Sequence, residues 1–163
     1  MRQSPVWVHA RMALLALVII LGSVRGAGAQ GLGYGVGGLA GVSGFFASGA
    51  AGHAAGGGEG LFRGRAGVGG EVGLINNLVL GSVNGVVHLV PSRAGHRLSP
   101  FVTSGWTRMS SGEGSFDAWN AGAGVDVWTR DRVGFRMELR DHVRPDTRGT
   151  VHYWTIRGGI ALR

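Results

Sequence analysis

Residues 119 to 143 alternate so regularly between apolar and polar side chains that they predict a β-hairpin. In the second arm the odd positions carry Val133, Phe135, Met137 and Leu139, whereas the even positions carry glycine, arginine, glutamate and histidine. A period of two places the two sets on opposite faces of a strand. The first arm, 119 to 127, alternates in the same way, and the polar residues 129 to 132 between the arms predict a tight turn.

The two faces of this hairpin favour a barrel that spans a membrane. One face is uniformly apolar, and the other combines bulky charges of both signs with glycine. A strand of a soluble sheet more often exposes scattered polar residues and buries its aliphatic ones, whereas a membrane barrel turns its apolar face to lipid. The alternation from Val133 to Asp141 lasts nine residues, and a transmembrane strand needs about 9 to 11.

The first 29 residues have the features of a secretory signal peptide. A basic start is followed by an apolar run of 13 residues, Met12 to Val24, and then by the small residues Ala27-Gly28-Ala29. The run is short for a spanning helix, which needs about 17 to 25 residues. We therefore predict a signal peptide at residues 1–29 and one outer-membrane barrel domain at residues 30–163. An uncleaved membrane anchor is the alternative, and Arg25 within the cleavage region is its main support.

The basic composition does not indicate nucleic-acid binding. Three of the sixteen basic residues precede residue 30, which leaves thirteen arginines against nine acids, a net charge of +4. Nucleic-acid-binding proteins cluster their positive charge on one face or in a tail. These arginines instead alternate with apolar residues or stand in predicted turns. The absence of cysteine excludes disulfides and thiolate metal sites.

Eight strands account for residues 30 to 163. Residues 30 to 60 are rich in glycine, and they fit either a flexible low-complexity segment or strands whose small inward residues leave room for arginines from other strands. We favour the strands. The first lies near residues 31–37, and the others are predicted at 51–61, 65–75, 78–90, 98–109, 119–127, 133–143 and 150–163. Short connections between them predict an all-β, antiparallel, up-and-down barrel with no helix after the signal.

Eight charged residues are predicted to point into the barrel. They are Glu59, Glu71, Asp126, Glu138, Arg65, Arg136, Arg140 and Arg157. Buried charges must be paired, because an isolated one is very costly. Side chains just fill the interior of an eight-stranded barrel, so an internal salt-bridge network is favoured over a pathway for ions or solutes.

Aromatic residues mark the expected edges of the membrane. Trp119 and Trp154 face outward at the end away from the turn at residues 129–132, as expected for an interfacial girdle. They could otherwise be core tryptophans of a soluble barrel. Trp128 is predicted to point inward and to pack at one end of the barrel.

No catalytic, cofactor or metal site is predicted. The GxGxxG pattern of residues 33–38 lacks the flanking strand and helix that bind a dinucleotide. The histidines show no ligand spacing. Ser82, Asn84 and His88 share a face, but that face is predicted to point inward, away from lipid, so no nucleophile and base are placed for an enzyme that acts on lipid.

The signal peptide, the alternating strands and the segments "NAGAGVDVWTRDRVGFRMELRDHV" and "HYWTIRGGIALR" resemble small outer-membrane β-barrel proteins of the OmpA/OmpX-like superfamily, which carry the outer membrane protein beta-barrel domain. The resemblance covers most of residues 31 to 163. It implies a Gram-negative cell outer membrane, insertion by the barrel-assembly machinery, contact with outer-membrane lipids, and a structural or surface-interaction role in the cell envelope.

Short external loops favour a bare structural barrel. With both termini in the periplasm, the external loops would be 42–49, 76–77, 110–115 and 144–149. We therefore expect a monomer with no large pore and no enzymatic activity. The alternatives are a lipid-modifying enzyme, a narrow pore, and a soluble secreted barrel that binds an apolar ligand. The last would bury the apolar faces and expose the charged ones.

Overall fold

The protein forms a closed antiparallel barrel of eight strands in the computed structural model, which describes residues 29–44, 47–92, 95–147 and 149–163. The strands are β1 (Ala29–Gly44), β2 (Ala47–Phe62), β3 (Ala66–Ile75), β4 (Leu78–His88), β5 (Leu98–Ser111), β6 (Gly114–Trp128), β7 (Val133–Asp146) and β8 (Gly149–Leu162). Each strand pairs with its sequence neighbours, and β8 pairs with β1. The predicted up-and-down barrel is confirmed. The predicted signal peptide lies outside the described residues, except for Ala29, which begins β1.

Among the described residues, no helix is long and apolar enough to cross a membrane.

The strands are strongly staggered around the barrel. A circuit of registered partners that starts at Gly33 passes through every strand and returns to β1 at Ser43, ten residues further along. A stagger of this size accompanies a steep strand tilt, and a barrel of only eight strands has a small diameter. The interior is therefore narrow enough for side chains to fill.

The polarity of the wall is apolar outside and charged inside, as the alternation predicted. On β7, Met137 is 62% exposed and Leu139 is 56% exposed, whereas Arg136 and Arg140 are buried at 0% and 1%. The soluble barrel considered as an alternative predicts that Met137 is buried and Arg136 is exposed. The structure shows the opposite for both residues, so this prediction is wrong.

The glycine-rich segment forms regular strands. β1 and β2 pair from Ala29 and Phe62 up to Gly44 and Ala47, so the predicted loop at residues 42–49 is wrong. No proline interrupts the backbone ladder in this segment. The loops predicted at 110–115 and 144–149 are likewise shorter, because β5 pairs with β6, and β7 with β8, almost to the turn.

Glycines on the inner wall make space for large side chains of other residues. A Cβ atom at Gly57 would lie 2.6 Å from the Tyr34 hydroxyl, and one at Gly134 would lie 2.9 Å from the Trp128 ring. Neither position can carry a side chain while its neighbour occupies the same space. The small inward residues predicted for this barrel therefore serve the packing of its interior.

The tight turns use backbone conformations that their residues tolerate. Arg63 and Gly64 have φ angles of 52° and 68° between β2 and β3, and Asn76 has a φ of 51° between β3 and β4. Glycine and asparagine adopt this left-handed region more readily than other residues. The short connection predicted at residues 76–77 is confirmed.

Candidate functional site

The lumen carries a layer of paired charges, and seven of the eight predicted residues belong to it. They are Glu59, Glu71, Asp126, Glu138, Arg136, Arg140 and Arg157, all buried. The prediction for Arg65 is wrong: this residue is exposed in the turn before β3, where its amide donates to the Phe62 carbonyl at 3.0 Å. The alternation that points Glu71 inward starts only at Ala66, so it does not extend to Arg65.

Glu71 connects β3 with the opposite side of the lumen. Its two carboxylate oxygens accept hydrogen bonds from the Arg157 guanidinium, each at 2.7 Å. Arg140 donates to the same carboxylate at 3.4 Å, and the Tyr34 hydroxyl donates at 2.8 Å. A bidentate arginine–carboxylate pair fixes both distance and orientation. Residues from three other strands, β1, β7 and β8, are therefore held around one buried carboxylate.

Glu138 lies between the same two arginines on the other side. Arg140 donates to it from Nε at 2.7 Å and contacts it from Nη2 at 2.6 Å. Arg157 donates to it from Nη2 at 2.8 Å. Two arginines and two glutamates thus form a closed square of ion pairs, and each charge has partners of opposite sign.

Arg136 occupies a second group nearer the turns after Phe62, His88 and Trp128. It forms a salt bridge with Glu59, and its Nε lies 3.8 Å from Asp126 and 3.6 Å from Glu138. Its guanidinium lies 4.2 Å from the Tyr34 ring centroid and 4.0 Å from that of Phe101. Cation–π contacts of this kind stabilise a buried guanidinium, because its flat faces need no hydrogen bonds.

His88, rather than Arg65, is the fourth basic residue inside the barrel beside the three arginines. Its Nε2 lies 3.1 Å from Glu59, and its Nδ1 lies 2.8 Å from the Ser99 hydroxyl. Ser99 donates its only hydroxyl proton to the Val90 carbonyl at 2.7 Å, so both ring nitrogens of His88 face acceptors. Four acids in the described lumen face three arginines and one histidine.

Apolar clusters border the charged layer toward both ends of the barrel. The cluster near the turn after Trp128 includes Leu32, Leu61, Val86, Phe101, Trp128 and Ala161. The cluster at the other end contains Ala40, Ile75, Leu80 and Met109, with Phe116 and Tyr153 packed against it. The seven charged side chains of the network are themselves only 0% to 6% exposed.

The interior contains the residue types of a hydrolytic triad without a usable nucleophile. Ser99, His88 and Glu59 are connected in that order by hydrogen bonds. Ser99 is completely buried, and its hydroxyl is bonded to a backbone carbonyl. Ser82 also faces inward, as predicted, and bonds to Thr107 at 2.8 Å. A nucleophile must reach its substrate, and these hydroxyls lie inside the wall.

The outer surface carries aromatic residues at one level near the end opposite the turn at 129–132. Trp119 is 66% exposed and Trp154 is 36% exposed, which confirms that both face outward. Trp106 is the registered partner of Trp119 and was not predicted to face outward, because the faces of its strand could not be assigned from sequence. The Trp154 ring lies directly over Gly41, where a Cβ atom would overlap it.

One outward-facing histidine–carboxylate pair lies beside these tryptophans. His152 Nδ1 is 2.6 Å from Asp141 Oδ2, and about two fifths of each side chain is exposed. Among the described residues, no group of three or more histidine, cysteine, aspartate or glutamate side chains is arranged to hold a metal ion.

Sequence comparison finds no family model and no curated protein that matches this chain. Comparison of structures finds the crystal structure of Neisserial surface protein A (NspA), with a TM-score of 0.66 and 11% identity over 83% of this chain and 99% of that one. The chain has the fold of the small outer-membrane barrels. The N-terminal barrel domain of OprF from Pseudomonas aeruginosa follows, with a TM-score of 0.57 and 15% identity over 82% of this chain and 98% of that one. A de novo designed transmembrane β-barrel has a TM-score of 0.54 and 17% identity over 85% of this chain and 97% of that one.

Proposed function

We propose that this chain is a structural protein of the Gram-negative outer membrane, where it contacts lipid along its whole outer wall. The observation that carries the proposal is the inverted polarity: large apolar residues are exposed on every strand from β3 to β8, while Arg136, Arg140, Glu71 and Asp126 are buried. Exposure of this apolar wall to water would cost a large free energy, whereas the hydrocarbon of a lipid bilayer solvates it well.

The ends of the barrel give this proposal an orientation. The girdle that includes Trp119 and Trp154 lies at the end with the connections after β1, β3, β5 and β7. We assign the opposite end, where β1 begins and β8 ends, to the periplasm, because an exported chain inserts into the outer membrane from that side; the girdle end then faces the cell exterior. The protein would be exported by a signal peptide that is cleaved after residue 29. The barrel-assembly machinery would then insert it, and it would remain a monomer.

Fractionation combined with gel mobility tests this function. The full-length precursor is expressed in a Gram-negative host, the membranes are separated, and the outer-membrane fraction is run on SDS gels with and without boiling. We expect a cleaved product in that fraction whose mobility changes on heating, because a closed barrel resists SDS until it is boiled. A soluble product without this change would contradict the proposal.

A second candidate, hydrolysis of a lipid ester at the external interface, is favoured by the Asp141–His152 pair. A histidine whose Nδ1 is bound to a carboxylate is oriented to accept a proton at Nε2. Ser43 of β1 is the registered partner of His152, so an Asp, His and Ser occupy three adjacent strands. Release of fatty acid from outer-membrane lipid by the purified protein, lost in Ser43→Ala and His152→Asn, would establish this activity. No release from a correctly inserted protein would exclude it.

A further inference from the structure

The arginines of the barrel are distributed unequally between its two ends. Thirteen follow residue 29, and three of them belong to the buried network. Among the described residues, six lie at the periplasmic end, and we call them the arginine rim: Arg63, Arg65, Arg97, Arg130, Arg132 and Arg163. One acid, Asp131, accompanies them there. This end therefore carries the excess positive charge of the chain.

The rim arginines are available to an outside partner. Arg63, Arg65, Arg97, Arg130 and Arg132 are exposed. Within the described part of the chain, none of the six forms a salt bridge with a carboxylate.

Arg163 is the most constrained member of the rim. Its Nε donates to the Asp131 backbone carbonyl at 2.7 Å, and its guanidinium lies 4.1 Å from the Trp128 ring centroid. Its Nη1 has no hydrogen-bond partner in the structure.

The opposite end has no such excess. Arg108 Nη1 donates to both carboxylate oxygens of Asp117, each at 3.0 Å. Arg144 lies 3.6 Å from Asp146. The described residues there also include the acids Glu113 and Asp141, so acids outnumber arginines. The excess of arginines over acids is therefore confined to the end that carries the arginine rim.

The rim arginines lie where the apolar wall ends. Four of them are adjacent in sequence to an apolar residue that faces outward at the end of a strand. Arg63 follows Phe62, Arg97 precedes Leu98, Arg132 precedes Val133, and Arg163 follows Leu162. These four apolar side chains are 40% to 61% exposed. The Arg63 guanidinium lies 5.1 Å from the Phe62 ring centroid. The positive charge therefore begins at the level where hydrocarbon gives way to headgroups.

We propose that the arginine rim binds the phosphate groups of anionic phospholipids in the periplasmic leaflet, and thereby anchors the barrel at its depth in the membrane. This inference rests on the proposed outer-membrane function. Guanidinium groups bind phosphate oxygens in bidentate geometry, and an anionic membrane surface attracts basic residues placed at its edge. A nucleic acid or an acidic protein would need a basic face directed away from the membrane, whereas these charges border the lipid-facing wall.

Reconstitution into defined lipids tests the anchor. The protein is inserted into vesicles of phosphatidylcholine alone and of phosphatidylcholine mixed equally with phosphatidylglycerol, and the urea midpoint of unfolding is measured in each. We expect a higher midpoint in the mixed vesicles, and a difference that shrinks as salt is added. The double variant Arg97→Gln/Arg132→Gln should lose roughly a third of the difference, since two of six charges are gone. Adding Arg63→Gln and Arg130→Gln should remove roughly two thirds.

The matched control is Arg108→Gln/Arg144→Gln, which removes two arginines from the other end and should keep the whole difference. Equal losses in the rim and control variants would overturn the anchor. So would an equal rise in midpoint when inorganic phosphate is added to the phosphatidylcholine vesicles, because the site would then bind free phosphate. A protein that shows no heat-dependent mobility in either vesicle would instead refute the proposed function itself.

Discussion

At the residue scale, one step along a strand decides whether a side chain faces the outer surface of the barrel or its lumen. Arg136 and Met137 are adjacent in sequence, yet the first is completely buried and the second is 62% exposed. Each environment excludes the residue type of the other, because lipid cannot solvate a charge and the charged layer requires ion pairs. This contrast makes substitutions in β7 informative.

Met137→Arg should destabilise the inserted barrel by about 2–4 kcal/mol, because it places a charge near the middle of the apolar wall. Val133→Arg is the control, since Val133 lies at the end of β7 beside the rim; there the cost should be about 0–1 kcal/mol. Urea unfolding in vesicles measures both. Equal costs at the two positions would mean that the wall does not cross a bilayer in the assigned orientation.

Gly124→Ala should destabilise the barrel by roughly 1–3 kcal/mol, because overpacking forces neighbouring groups apart. A Cβ atom at Gly124 would lie 2.5 Å from the Phe101 ring. Gly35→Ala is the matched control, because Gly35 faces outward with no atom within 4 Å of a Cβ. The free energy of unfolding of the Gly35→Ala variant should stay the same or rise slightly. A Cβ atom would also overlap the Met137 backbone carbonyl, so a tolerated alanine at Gly124 would show that both Phe101 and the β7 backbone can shift.

At the scale of elements, the charged network connects strands that do not touch through their backbones. Glu71 of β3 binds Arg140 of β7 and Arg157 of β8. Hydrogen bonds of the ladder join only neighbouring strands, so these ion pairs add direct connections across the lumen.

Glu71→Ala should cost about 3–5 kcal/mol, since it leaves two buried arginines short of a partner. Asp117→Ala removes the partner of Arg108 from an exposed pair, with side chains 48% and 51% exposed, and should cost about 0–1 kcal/mol. The temperature at which the folded band disappears from SDS gels orders the two variants. The opposite order would mean that Glu71 does not hold the network.

The elements were more predictable where their two faces differ. In β7 every outward residue from Val133 to Leu139 is apolar, so both strand and faces follow from sequence. In β5 the inward set contains Phe101 and Met109, while Ser104 and Arg108 face outward. Those faces could not be assigned, because the apolar clusters at the barrel ends and the polar edge of the wall reverse the alternation within one strand.

At the scale of the whole molecule, the barrel is closed by its own side chains. The charged layer lies between one apolar cluster that contains Trp128 and another that contains Leu80 and Met109. An eight-stranded barrel of this kind has little interior space beyond its side chains. The fold therefore supports a solid body in the membrane more readily than a channel.

Planar bilayers with the inserted protein should conduct no more than protein-free bilayers under the same voltage. The physical reason is that an ion would have to displace both the apolar clusters and the paired charges. Insertion is verified on the same sample by heat-dependent gel mobility. Discrete current steps from a verified sample would contradict this prediction and favour the narrow-pore alternative.

The sequence by itself determined the barrel, because its evidence is local. Period-two alternation indicates which face of each strand is apolar, and turn residues such as Gly64 and Asn76 indicate where the chain reverses direction. The number of strands and their antiparallel order follow from these two signals.

Only the tertiary structure decided which charges share the lumen and which gather outside it. Arg65 has the sequence phase of an inward residue but lies in a turn, whereas His88 proves to be the partner of Glu59. The stagger of the strands sets which side chains reach the same level, and it depends on closure between β1 and β8, which are far apart in the chain. For the same reason, arginines from separate turns form one rim only when the barrel is closed.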